Sequence, residues 1–137
     1  MKITVPATGV VDANNDIYVI LGSEGFCKVS ALKKHGIEEI TSIRGTPCNA
    51  IGLFHDHLLI SAGETLYAIL LYSNEVKPIL RVKPGNWFWH GVESCGGVFV
   101  QEYGEPPTGI YVSEDLRHFS RVVTNNAIDP LSRHFHY

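Results

Sequence analysis

The sequence predicts an all-β fold of repeated four-stranded antiparallel units, and three observations carry that expectation. The apolar runs are short and divided by turn formers. Between residues 89 and 119, the runs 90–92, 98–103 and 109–113 are separated by Ser94-Cys95-Gly96-Gly97 and Gly104-Glu105-Pro106-Pro107-Thr108. Consecutive antiparallel strands use such a pattern and a helix does not. The chain also repeats itself. Thr8, Asn49 and His90 lie 41 residues apart, and the same offset carries Ile17-Tyr18-Val19 onto Leu58-Leu59-Ile60 and Phe99-Val100-Gln101, and Gly22 onto Gly63 and Gly104. Third, 137 residues with 45% hydrophobic and 18% charged content form one globular domain rather than two or a disordered chain.

Taken in order, the first unit predicts strands over 7–12, 16–22, 25–30 and 37–43. The second predicts 48–53, 57–62, 66–72 and 78–82, and the third 89–93, 98–103, 109–113 and 119–123. Asn14-Asn15-Asp16, His55-Asp56 and Gly96-Gly97 supply the turns between first and second strands. The near-continuous apolar character of the second and third strands suits sheets covered on both faces. Residues 29–35 are the one helical candidate, too short to bury a helical face. A four-stranded unit of this length, repeated, is the pattern of a β-propeller blade. The blades span about 5–43, 46–83 and 87–124 of a single domain, with the first strand of a fourth at 133–137, where Arg133-His134-Phe135-His136-Tyr137 is similar to Phe88-Trp89-His90. Three blades do not close a ring. Further blades of a longer chain or assembly of identical chains would each complete it.

Composition also excludes partners. A formal net charge of −3 gives no polyanion-binding surface, so nucleic acid is not expected. The longest apolar run, Tyr67 to Tyr72, is too short to span a bilayer, and the N-terminus has no apolar signal region. Cys27, Cys48 and Cys95 are odd in number and lack CxxC spacing. They read as three small buried hydrophobes in a reducing compartment, without disulfide or zinc, which favours the cytoplasm.

Ser113-Glu114-Asp115-Leu116-Arg117-His118-Phe119 resembles the Asp box of sialidase-like BNR-repeat propellers, and its SxDLxxF form is similar to a turn of five-bladed glycoside hydrolases. Ser73-Asn74-Glu75-Val76-Lys77-Pro78-Ile79 is a degenerate second copy. The resemblance implies glycan binding or hydrolysis at the channel mouth. It also implies a structural role for Ser113, Asp115 and Phe119, on the opposite face. The glycine and Thr-Trp ending of the full motif are missing, and no arginine triad or Tyr–Glu nucleophile pair is recognisable.

Blade geometry places Thr8, Asn49, His90 and His136 at the mouth, where hydrogen-bonding groups around a channel suit a sugar or other small polar ligand. Wet channel mouths carry polar residues without a ligand too. Arg133 and His134 join this ligand-binding set, and Trp87, Phe88 and Trp89 beside it either stack on a sugar or pack between blades. Glu102 and Glu105 are the acid–base candidates, because glycoside hydrolysis uses two carboxylates. His90, His134 and His136 could form a three-imidazole zinc set, but ring lining is the plainer account, so neither metal nor cofactor is expected. The alternative function is a non-catalytic propeller that displays loops to a protein partner, or a chain that oligomerises to close its ring.

Overall fold

The computed structural model describes residues 9–13, 16–131 and 133. These form twelve strands: β1 (Gly9–Ala13), β2 (Asp16–Ser23), β3 (Phe26–Lys33), β4 (Gly36–Arg44), β5 (Cys48–Phe54), β6 (His57–Ala62), β7 (Thr65–Leu70), β8 (Glu75–Arg81), β9 (Trp87–Ser94), β10 (Gly97–Tyr103), β11 (Gly109–Ser113) and β12 (Ser120–Thr124). A 3-10 turn, Asn125–Ala127, follows. The strands make three antiparallel meanders, β1–β4, β5–β8 and β9–β12, here called sheets 1, 2 and 3. The fold is all-β. Among the described residues no helix is long and apolar enough to cross a membrane.

The hairpins follow local chemistry. Glu24-Gly25 and Cys95-Gly96 both carry positive φ in two-residue connections, closing β2–β3 and β9–β10, the backbone that type I′ hairpins require. Each sheet then extends the ladder between its third and fourth strands by one more bond, Gly45 N–H to Gly25 O, Val82 N–H to Glu64 O and Asn125 N–H to Thr108 O. The connection entering the third strand and the exit from the fourth thus gather at one end of each sheet, here called the loop end.

Alternation sorts the side chains into two interfaces. Tyr18, Ile20, Cys27, Val29 and Ala31 of sheet 1 pack against Leu58, Ile60, Ala62 and Ile69 of sheet 2. The opposite face of sheet 2, with Phe54, Leu59, Leu66 and Ala68, packs against Phe88, Val98 and Val100 of sheet 3. The sheets therefore stack in chain order, each one's leading face on the next one's trailing face. The first strands are neighbours across these joints. The Gly9 Cα faces Ala50, and the Gly91 Cα faces Ile51, so closely that a Cβ on either glycine would collide. Sheet 2 is covered on both faces, and β6 is buried from Leu58 to Ala62. Among the described residues, sheets 1 and 3 are each covered on one.

Two sequence expectations change. Cys27 and Cys48 form a disulfide, with Cα atoms 5.3 Å apart and a sequence separation of 21, and Cys95 is the exposed free thiol. The three-thiol reading failed because stacking brings β3 beside the start of β5, a proximity that sequence spacing does not display. The argument for a reducing compartment falls with it. The repeat register also shifts. The first hairpin turns are flanked by Ala13 and Asp16, Phe54 and His57, Ser94 and Gly97, so the offset is 41 from sheet 1 to 2 and 40 from sheet 2 to 3. Leu58-Leu59-Ile60 therefore corresponds to Val98-Phe99-Val100, not to Phe99-Val100-Gln101. A slip of one exchanges the two faces. The bulge at Ile51 restores correspondence further along, where Asn49 pairs with Ser61 and His90 with Gln101, and a bulge at Trp89 follows in β9. Unbulged β1 puts Gly9, opposite Ile20, in that row. The row expected to begin at Thr8 begins one residue later.

Candidate functional site

The loop end of sheet 3 holds the densest polar network among the described residues. Trailing-face alternation on β10 carries Val98 and Val100 into the joint and then Glu102, which is 3% exposed. Its Oε1 accepts from Asn86 Nδ2 at 2.7 Å, and its Oε2 accepts from Gly109 N–H at 3.1 Å and from the Tyr111 hydroxyl at 3.2 Å. Asn86, equally buried, clasps the following loop, donating to Glu105 O at 3.0 Å and accepting from Glu105 N–H at 2.7 Å. Gly104, with φ 142°, presses its Cα so closely on Asn86 that any side chain there would collide. The rest of the loop, which contains a cis Pro106–Pro107 bond, is held by Asn125 Oδ1 on Thr108 N–H at 2.8 Å and by Lys83 Nζ on Pro106 O at 3.0 Å.

This geometry decides what Glu102 can do. Both its oxygens accept hydrogen bonds in a buried site, so the side chain orders the loop. Burial first, and then the Glu102 charge and hydrogen bond, push the Tyr111 hydroxyl above its ordinary pKa, partly opposed by Arg121. Glu105, three residues on, has its backbone clamped and its side chain in solvent.

On the leading side, alternation brings Trp87, Tyr103, His90 and Gln101 to the loop end. Tyr103 contacts two indoles, with centroids 4.7 Å from Trp87 and 5.3 Å from Trp89, the latter stacked at 29°. The Arg133 guanidinium sits 6.0 Å from the Tyr103 centroid, and Arg133 O accepts from Gly104 N–H at 3.2 Å. Trp89, displaced by its bulge, is 50% exposed, and His90 is exposed. Phe88 points the other way and is fully buried in the joint with sheet 2. Asn49 turns to that joint too, donating from Nδ2 to Phe88 O at 3.1 Å. Of the expected ligand set, Arg133 lies over Tyr103, His90 is exposed on β9 opposite Gln101, and Asn49 lies in the neighbouring joint. Thr8, His134 and His136 lie outside the described residues. Among the described residues no three His, Cys, Asp or Glu side chains converge as metal ligands would. Asn86, Tyr103 and Asn125 were missed by sequence reasoning. The signal available for Asn86 was a polar residue between Gly85 and an aromatic run, which reads equally well as a turn.

At the other end of sheet 3, Ser113 Oγ accepts from Leu116 N–H at 2.9 Å, and Asp115 Oδ1 accepts from Arg117 and His118 N–H at 2.8 Å each. The His118 ring, 2.7 Å from Oδ2, is the main cause of an Asp115 pKa well below the usual carboxylate range, with those backbone bonds next. The turn drives Leu116, at φ 60°, into the joint beside Phe119. In sheet 2 the corresponding connection is shorter. Glu75 there pairs directly with Leu70 as a strand residue, so it does not take the place of Asp115. Compared with protein-family models, characterised proteins and solved structures, the chain matches none.

Proposed function

We propose that the three sheets are consecutive blades of a β-propeller, related to the Asp-box class, and that the loop end of sheet 3 binds a glycan. The observation that carries this reading is the aromatic cluster of Tyr103 with Trp87 and Trp89, with the Arg133 guanidinium over the Tyr103 ring and the exposed His90 next to Trp89 in the chain. A half-exposed indole offers the flat apolar surface on which the C–H face of a sugar ring rests, while imidazole and guanidinium groups bond hydroxyl or carboxylate oxygens. The role is binding rather than hydrolysis, because Glu102, the buried carboxylate nearby among the described residues, uses both oxygens to hold the loop.

Titration with sialyllactose and with neutral lactose, followed by tryptophan fluorescence, tests this. Binding should quench the signal, and Trp89→Ala should weaken it by about tenfold or more, equivalent to the stacking contribution of one aromatic. Loss of preference for the anionic sugar in Arg133→Ala would support the assigned carboxylate contact. No quenching with either sugar, or unchanged affinity in Trp89→Ala, would sink the reading.

A further inference from the structure

The consecutive residues Glu102, Tyr103 and Gly104 send their groups to different places. Glu102 turns to the trailing side, where it is 3% exposed and accepts from Asn86, Gly109 and Tyr111. Tyr103 turns to the leading side and meets Trp87 and Trp89. The N–H of the buried Gly104 donates to Arg133 O at 3.2 Å. Asn86 grips this segment on both sides of Gly104, through the Glu102 carboxylate and through the backbone N–H and C=O of Glu105. Gly104 has a φ of 142° and no room for a side chain against Asn86, so the clasp sets the direction of its N–H.

Arg133 depends on that direction. Among the described residues it meets sheet 3 through this backbone bond and through its guanidinium, 6.0 Å from the Tyr103 centroid. A cation–π contact outside a desolvated site is weak and leaves a long side chain much of its rotamer freedom. Anchoring the Arg133 backbone confines those rotamers to the ring. The ring is aimed in turn by alternation, because burying Glu102 on one face sends Tyr103 to the other. We propose that Asn86 and Glu102 are positioning residues for the loop-end site, setting its preference for an anionic sugar by fixing Gly104 N–H and, through it, Arg133. The ligand in this inference rests on the glycan reading above, and the linkage rests on the geometry alone.

Glu102→Gln keeps the side-chain shape but turns one acceptor into a donor that faces donors. Exchange of the Gly104 amide should accelerate by about tenfold or more. The preference for sialyllactose over lactose should fall to that of Arg133→Ala. Combining Glu102→Gln with Arg133→Ala should lower it no further, because both changes act on one guanidinium. Adding Asn86→Asp to Glu102→Gln restores the pair with donor and acceptor exchanged and the charge kept, so Gly104 protection and sugar preference should both recover. Circular dichroism verifies that each variant folds, and the exchanged pair carries the same readouts if the single variant does not. A Gly104 amide that stays protected in Glu102→Gln would overturn the proposal whether or not a sugar binds. Additive losses of preference with Arg133→Ala, or an exchanged pair that recovers neither readout, would overturn it too. Faster Gly104 exchange, recovered in the exchanged pair, with no binding of either sugar would uphold the linkage and sink the glycan reading alone.

Discussion

The joint between sheets 1 and 2 and the joint between sheets 2 and 3 solve one packing problem by different means. The first is apolar and covalently closed by Cys27–Cys48. The second has no covalent link. It has hydrogen bonds that cross it, with Phe88 offering its N–H to Ser61 Oγ and its carbonyl to Asn49 Nδ2 while its ring fills the interface. It also receives Leu116 from the long turn of sheet 3. A disulfide acts chiefly on the unfolded chain, by shortening the loop that must close. Crossed hydrogen bonds act on the folded joint, fixing register and leaving unsatisfied groups if the partner is removed. The disulfide therefore restrains the first joint covalently, and the crossing hydrogen bonds of Phe88 fix the register of the second.

The largest test of that difference removes Phe88. Phe88→Ala deletes a fully buried ring and should cost about 3–5 kcal/mol, read as a fall in the urea midpoint with little change in slope. Amide exchange should accelerate in β9 and β10, with β2 and β3 less affected because the disulfide still restrains them. Equal loss of protection in sheet 1 would show that the joints are not independent.

Reduction probes the other side. In the chain-entropy account a loop of this size contributes about 3 kcal/mol, so reductant on a Cys95→Ser background should lower stability by that order. Protection should fall first in β3, where Cys27 sits fully buried. A loss concentrated in sheet 3 would contradict the assignment of the bond to the first joint.

How far the sequence disclosed these joints follows from what each depends on. Strand positions depend on local alternation and turn residues, so 16–22, 57–62, 98–103 and 109–113 lie within a residue or so of β2, β6, β10 and β11. Register across sheets depends on bulges, and a bulge at Ile51 or Trp89 leaves no mark in an apolar run. The 41-residue repeat therefore located the units while misaligning the faces of the third. The disulfide, the Asn86–Glu102 clasp and the Trp87–Tyr103–Trp89 stack all join residues that only stacking or hairpin pairing brings together. Glu102 looked like an acid–base candidate because a carboxylate at a loop mouth is chemically suggestive. Its three hydrogen bonds, invisible in sequence, give it a different task.

The smallest test concerns Leu116 and the turn that inserts it. Asp115 holds this turn through backbone N–H groups and the His118 ring, and its carboxyl is held well below the usual range. A folded-state pKa below the unfolded one means that the carboxylate's contribution is complete above the unfolded value, near pH 4, and is lost as pH falls toward the folded one. Asp115→Asn removes that dependence. The stability advantage of the parent chain over the variant should hold from about pH 6 down to about pH 4 and then shrink through the acid range. Because the group is exposed, the effect should be modest and reduced by salt. The shrinkage should coincide with faster exchange at Leu116 and β12, in the second joint, and leave the disulfide-closed joint unchanged. Parallel stability curves for parent and variant down to pH 3 would separate the turn from the joint it supports.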